Sequence, residues 1–224
     1  PGACYRMGVV TSSVVDLSGT TDSTDNSAVC PRFAISGSSI GLSTERLPFG
    51  PADASLLIVA PAFIHPQEGN DTSLFDIETE TVFYEALIES GFLSRGVDKD
   101  GDIMLSPVGT RFVSVIQSPP RSDLPLPSDV VDCNHFLRTE LQTLPNLRVV
   151  LTLGVLAHNA TLAACGVPFS RVSFQNGQIS SMPDGLMIAN SLLLSRHNLQ
   201  TGHVCQHSFR KLLQQIRQEI DSPE

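Results

Sequence analysis

Apolar residues along this chain gather into short dense runs, and between the runs they fall into a helical period. "ASLLIVAP" (54–61) is an apolar run stopped by a proline, the mark of a buried strand. In "ETVFYEALIESGF" (80–92), Val82, Phe83, Ala86, Leu87 and Phe92 lie near helical spacing, and Gly91 stands where a helix would be capped. The alternation recurs. "TRFVSVIQS" (110–118) reads as a strand stopped by Pro119 and Pro120, and "SDVVDCNHFLRTELQTL" (128–144) as an amphipathic helix with Ser128 as N-cap. "LRVVLTLG" (147–154) predicts a buried strand and "VLAHNATLAACG" (155–166) a short helix closed by Gly166. "GLMIANSLLL" (185–194) predicts a fourth strand and "QHSFRKLLQQIRQEI" (206–220) a last helix. Strands alternating with helices predict an α/β fold, three-layer αβα with a central, mainly parallel four-stranded sheet. Such sheets bind ligands outside the carboxyl ends of their strands.

Residues 1–45 break the pattern. They are rich in Ser, Thr, Asp and Gly, as in "DLSGTTDSTDNSAV", and carry no sustained period. They read as an irregular N-terminal extension that wraps a surface or borrows structure from a partner, ahead of a domain over 46–224. The length of 224 residues suits one such domain, and 41% hydrophobic with 17% charged residues is an ordinary globular composition. No apolar run approaches the roughly 18 residues that span a bilayer. A net charge of −9 opposes a broad electrostatic grip on nucleic acid. A local basic patch would need Arg121, Arg138, Arg148 and Arg196 to converge in the fold. The five cysteines, at 4, 30, 133, 165 and 205, are odd in number and form no CxxC pair, which points to a reducing, intracellular compartment. The first residue is Pro1 rather than Met, compatible with a cleaved targeting peptide, and so a mitochondrial location, or with a trimmed chain.

Several motifs fail on their chemistry. "DKDGDIMLS" (98–106) has alternating acids, but the spacing about Gly101 is wrong for a calcium loop and no Glu closes it, so it reads as an exposed turn. "SGSSIG" lacks the lysine of a phosphate loop. His197, His203, Cys205 and His207 cluster without any common zinc spacing. "NDT" and "NAT" match glycosylation acceptors, which the cysteine pattern makes chance matches. What stands out is "LLLSRHNLQTGHV" (192–204), where three leucines read as a strand end and Ser195 opens a polar loop closed by Gly202.

Taken together and in order, four pieces resemble the uracil-DNA glycosylase superfamily, most closely its iron–sulfur-containing family 5 branch. They are the Ala60-Pro61-Ala62 turn, Pro119-Pro120 after a later strand, "LRVVLTLGVLAHNA", and the loop Ser195-Arg196…Asn198…Gln200-Thr201-Gly202. The resemblance covers roughly residues 54 to 220 and implies a uracil-DNA glycosylase-like fold. Such enzymes extract a base from DNA and stabilise the negative charge of the departing base. The resemblance implies that a His-Pro pair enters the last strand-end loop and faces the uracil carbonyl. It also implies that the loop beyond presses into DNA, and that four cysteines hold a cluster.

The departures fall on the chemistry. Counted back from Ser195-Arg196, the His-Pro pair is replaced by Leu193 and Leu194, which either finish a buried strand or, the favoured reading, are degenerate catalytic positions that fill or border the former pocket and face a cleft. After Ala62 stands "FIHPQEGNDTSLFDIETE", where Glu68, Asp71, Asp76, Glu78 and Glu80 would repel phosphates, and only His65 and Asn70 keep residue types found there. At the cluster positions stand Cys30 and Cys133, with Ser27 and Gln117 at the others, and Cys133 follows Gln117 by sixteen residues. Two thiolates do not hold a four-iron cluster, so no cofactor or metal is expected. The expectation is a non-catalytic structural or adaptor subunit among protein partners, with RNA nearby as in a mitochondrial ribosome. Arg196, Asn198, Gln200, Thr201 and Gly202 would form its contact loop. The alternative is a divergent active glycosylase using His65 and Asn70 on DNA, and a weaker one is a module that binds nucleic acid without cleaving it.

Overall fold

The computed structural model describes residues 48–61, 77–97, 103–116 and 127–222. The N-terminal extension expected over 1–45 lies outside these residues. At the centre stands β1 (Leu56–Ala60), whose five residues are all buried. Parallel neighbours flank it, β4 (Thr110–Ser114) on one side and β5 (Val149–Leu153) on the other. Beyond β5 comes β7 (Met187–Ser191), also parallel, and then β6 (Ile179–Ser181), antiparallel, giving the order β4-β1-β5-β7-β6.

The twofold period of β1 creates the layers. Leu56, Ile58 and Ala60 face one side. There they share a core with Phe83 and Leu87 of α1 (Ile77–Glu89) and with Phe209, Leu212 and Ile216 of α5 (Gln206–Asp221). Leu57 and Val59 face the other side, toward Leu137 of α2 (Pro127–Thr143) and Ala157 and Ala160 of α3 (Val155–Ala164). Helices thus cover both faces of a mainly parallel sheet, the three-layer αβα arrangement expected from the alternation.

Three details add to or correct the sequence reading. The four expected strands are the parallel β4, β1, β5 and β7, and among the described residues three-residue β6, with no apolar alternation to announce it, adds an antiparallel edge. A separate antiparallel hairpin pairs β2 (Leu93–Val97) with β3 (Ile103–Pro107), so residues 103–106, read as part of a turn, are strand. The second helix begins at Pro127, placing Ser128 inside its first turn rather than at its cap.

Helix ends are closed by named groups. After α1, Gly91 at φ +72° lets its own N–H reach the Ile88 carbonyl and Phe92 N–H reach that of Leu87, a Schellman closure that a residue with a Cβ would strain. Arg217 of α5 lies 4.1 Å over the Phe92 ring and donates to the Ser90 and Gly91 carbonyls, locking α5 onto that end. Arg148 donates to the Ile220 and Ser222 carbonyls at the end of α5, and Arg138 to the Ala164 carbonyl at the end of α3. These two therefore cap helices toward the amino ends of the strands, whereas Arg196 follows β7 at the carboxyl ends. The basic patch that required these three to converge does not form, and Arg121 lies outside the described residues.

Candidate functional site

The carboxyl edge of the sheet is where a ligand of this architecture would sit. The ends of β1 and β4 stay paired beyond the strands proper, with Val115 N–H on the Ala60 carbonyl (2.9 Å) and Ile116 N–H on that of Pro61 (3.1 Å). His65, Asn70, Gln117, Pro119 and Pro120, which belong to the stretches that follow, lie outside the described residues, as do Ser27 and Cys30. The described part of the edge is built by β5, β7 and what comes after them.

Strand β7 stops at Ser191, three residues before the predicted end. Ser191 still accepts from Gly154 N–H (2.7 Å), but the Leu192 N–H turns to the side-chain oxygen of Asn176 (2.8 Å) and the chain leaves the sheet. Leu193 is half-buried against the core that α1 and α5 share with the sheet, and Leu194 is 0% exposed within it. Of the two, Leu194 is enclosed in the core beside side chains of α5 and does not face an open cleft.

The polar loop that follows is a short helix. Ser195 caps it by accepting from Asn198 N–H (3.3 Å), α4 covers Arg196–Gln200, and Thr201 Oγ1 donates to the His197 carbonyl (2.7 Å). Gly202, at φ +74°, then turns the chain. Asn198 points inward, its Nδ2 donating to the Leu193 carbonyl (2.8 Å) while its own carbonyl accepts from Val204 N–H (3.2 Å). Of the expected contact residues, Arg196, Gln200, Thr201 and Gly202 are exposed and Asn198 is a brace. His197, His203, Cys205 and His207 are all exposed on this segment and the turn beyond it. Among the described residues no group of three or more His, Cys, Asp or Glu side chains is placed to hold a metal ion.

Behind this edge lies a buried polar network that the sequence reading missed. Thr152 of β5, Asn190 of β7 and His158 of α3 are each 1% exposed or less. The Asn190 side chain lies 2.8 Å from Thr152 Oγ1 and 2.8 Å from His158 Nδ1, and His158 Nε2 lies 3.1 Å from the Val172 carbonyl oxygen. Phe174 meets the imidazole edge-on at 5.6 Å. The available signal was the placing of Thr152, His158 and Asn190 inside the apolar runs "VVLTL", "VLAHNATLAA" and "MIANS".

The cysteines differ sharply. Cys133 is 1% exposed on α2. Burial, with the Asp184 carboxylate adding to it against Arg138, pushes the Cys165 thiol up to about 11. Cys205 caps α5, its Sγ accepting from Ser208 N–H (3.3 Å), and its bonds with Ser208 lower its pKa. No described helix is long and apolar enough to cross a membrane.

No family model matches the chain. A type-5 uracil-DNA glycosylase of Thermus thermophilus is 30% identical to it over 134 residues. The match takes in 60% of this chain and 61% of the relative, so the chain spans less than two thirds of that protein's length. Over that stretch the chain is similar in sequence to a type-5 uracil-DNA glycosylase, and its helix-covered, mainly parallel sheet agrees with the fold that the family resemblance implies.

Proposed function

We propose that this is a glycosylase-fold protein without glycosylase activity, serving as a structural or adaptor subunit of a larger assembly. A mitochondrial ribosome or another ribonucleoprotein is the specific expectation. The observation that carries the reading is the placement of Leu194, 0% exposed, and of Leu193 against the same core. These are the positions where the family resemblance puts a His-Pro pair facing the base. An aliphatic side chain has no hydrogen to offer a developing oxyanion, and a core side chain is not available to a ligand. The acidic run after Ala62 and the net charge of −9 support a protein-facing role over deep contact with nucleic acid.

The donor set for an iron–sulfur cluster supports the same reading. In the register of the resemblance the four positions hold Ser27, Cys30, Gln117 and Cys133, two thiols with a hydroxyl and an amide. That set does not fit a four-iron cluster.

A uracil-release assay on single- and double-stranded uracil-containing DNA tests the proposal. No release above a protein-free blank is expected, and robust turnover would overturn it. Purification from the source, followed by identification of what co-migrates, tests the adaptor role, with stoichiometric ribosomal or other ribonucleoprotein subunits expected.

The second reading, a divergent uracil-DNA glycosylase of base-excision repair, is favoured by the similarity over 134 residues to a protein of that name. It places the chemistry on His65 and Asn70. Under it the same assay gives turnover that His65→Ala abolishes.

A further inference from the structure

We infer that His158 is a positioning residue for the surface segment 195–203, acting through the connector 172–178. The argument begins at the imidazole. Its Nε2 faces a carbonyl oxygen, that of Val172 at 3.1 Å, so the ring proton belongs on Nε2. Nδ1 then accepts, and the group 2.8 Å away is the side-chain amide of Asn190. With Oδ1 toward the ring, Asn190 Nδ2 is buried without an acceptor. With the amide turned over, Nδ2 faces both His158 Nδ1 and Thr152 Oγ1, and the amide oxygen takes the enclosed place instead.

The imidazole therefore holds the connector at Val172 and packs edge-on to Phe174 within it. Two residues further on, Asn176 holds both ends of the surface segment. Its Oδ1 accepts from Leu192 N–H (2.8 Å) where the chain leaves β7, and its Nδ2 donates to the His203 carbonyl (3.1 Å) where the segment returns to α5. Gly177 N–H on the Asn190 carbonyl (2.7 Å), with Asn190 N–H on the Gln178 carbonyl (2.9 Å), ties the connector back to the strand that carries the buried amide. A continuous path of bonds thus leads from the interior of α3 to both ends of an exposed helical turn. The path holds whether that turn meets a protein or DNA; only its use as a contact surface rests on the function proposed above.

The test is residue-resolved hydrogen exchange by NMR on the full chain. In His158→Phe, which keeps an aromatic ring and removes both bonds, the Leu192 amide is expected to exchange about tenfold faster or more relative to the Leu57 and Ile58 amides of β1. An equal rise at all three would show a role in global stability alone and overturn the inference. Should that variant fail to fold, two measurements decide. The ring nitrogens of the unmodified protein should show the proton on Nε2, and Asn176→Ala should release Leu192 while leaving the His158 ring signals in place. A proton on Nδ1, or a Leu192 amide indifferent to Asn176→Ala, would overturn it. None of these readouts depends on catalysis, so the fate of the uracil-release assay leaves them intact.

Discussion

Asn198 donates its side-chain amide to the main-chain carbonyl of Leu193 over 2.8 Å, so a polar residue of the surface turn holds in place the backbone of a leucine five positions earlier. The same residue's N–H is taken by Ser195 and its carbonyl by Val204 N–H. Three of its groups face inward. Asn198→Ala is expected to cost about 1 kcal/mol, one net internal hydrogen bond, with little effect on whatever the turn contacts. Denaturant titration beside a binding measurement on the same variant checks both halves.

The two leucines should separate cleanly. Leu194, wholly enclosed, is expected to lose about 3 kcal/mol on replacement by alanine, within the usual range for a core Leu→Ala change, and Leu193, half-buried, less than half of that. Leu193→His should be tolerated where Leu194→Pro is not. Urea midpoints for the single variants decide it, and equal losses would mean that both leucines share one environment.

Iron content offers a direct check on the ligand positions. Protein purified without oxygen is expected to be colourless, with no stoichiometric iron, because Ser27 and Gln117 stand where thiolates are needed. Brown protein carrying about four irons per chain would contradict that.

Thiol reactivity should follow the two shifts. The reactive species is the thiolate, so the exposed Cys205, with its lowered pKa, is expected to be alkylated near pH 8 before Cys133 and Cys165, and Ser208→Ala should slow it. For Cys165 the rate should climb only as the pH nears about 11, and Asp184→Asn should bring that rise to lower pH by removing a neighbouring negative charge. Mass spectrometry of partially labelled protein resolves the order.

Arg217 links α5 to the end of α1 through a ring face and two carbonyls. Arg217→Ala is expected to cost about 1–2 kcal/mol, and Arg217→Lys to recover only part of it, since an ammonium cannot reach both carbonyls while covering the Phe92 ring. Thermal denaturation of the two variants gives the ranking.

The central strands were legible because burial on both faces writes itself as an unbroken apolar run, as at Leu56–Ala60 and Val149–Leu153. The hairpin of β2 and β3 was not, since "LSRGV" and "IMLSP" carry no period that a five-residue window can register. The turn at Ser195 illustrates a different limit. Its cap and its closing glycine are both visible in sequence at helical spacing, yet five residues of helix produce no apolar stripe, and the polar composition alone reads as loop. The inward roles of Asn198 and Asn176 depend on which carbonyls and amides the fold brings within reach, and no local pattern encodes that. The same holds for His158 and Asn190, whose partnership spans 32 positions.

Strand β6 has a consequence for how this protein can join others. With three residues, it ends the sheet on one side too briefly to template a long ladder with an incoming chain. On the opposite side Phe49 forms an antiparallel bridge with Phe112, occupying β4 in its middle. Among the described residues both borders of the main sheet are blunted, which disfavours lengthening it by strand addition. That favours assembly through surfaces where recognition is set by side chains rather than by backbone pairing.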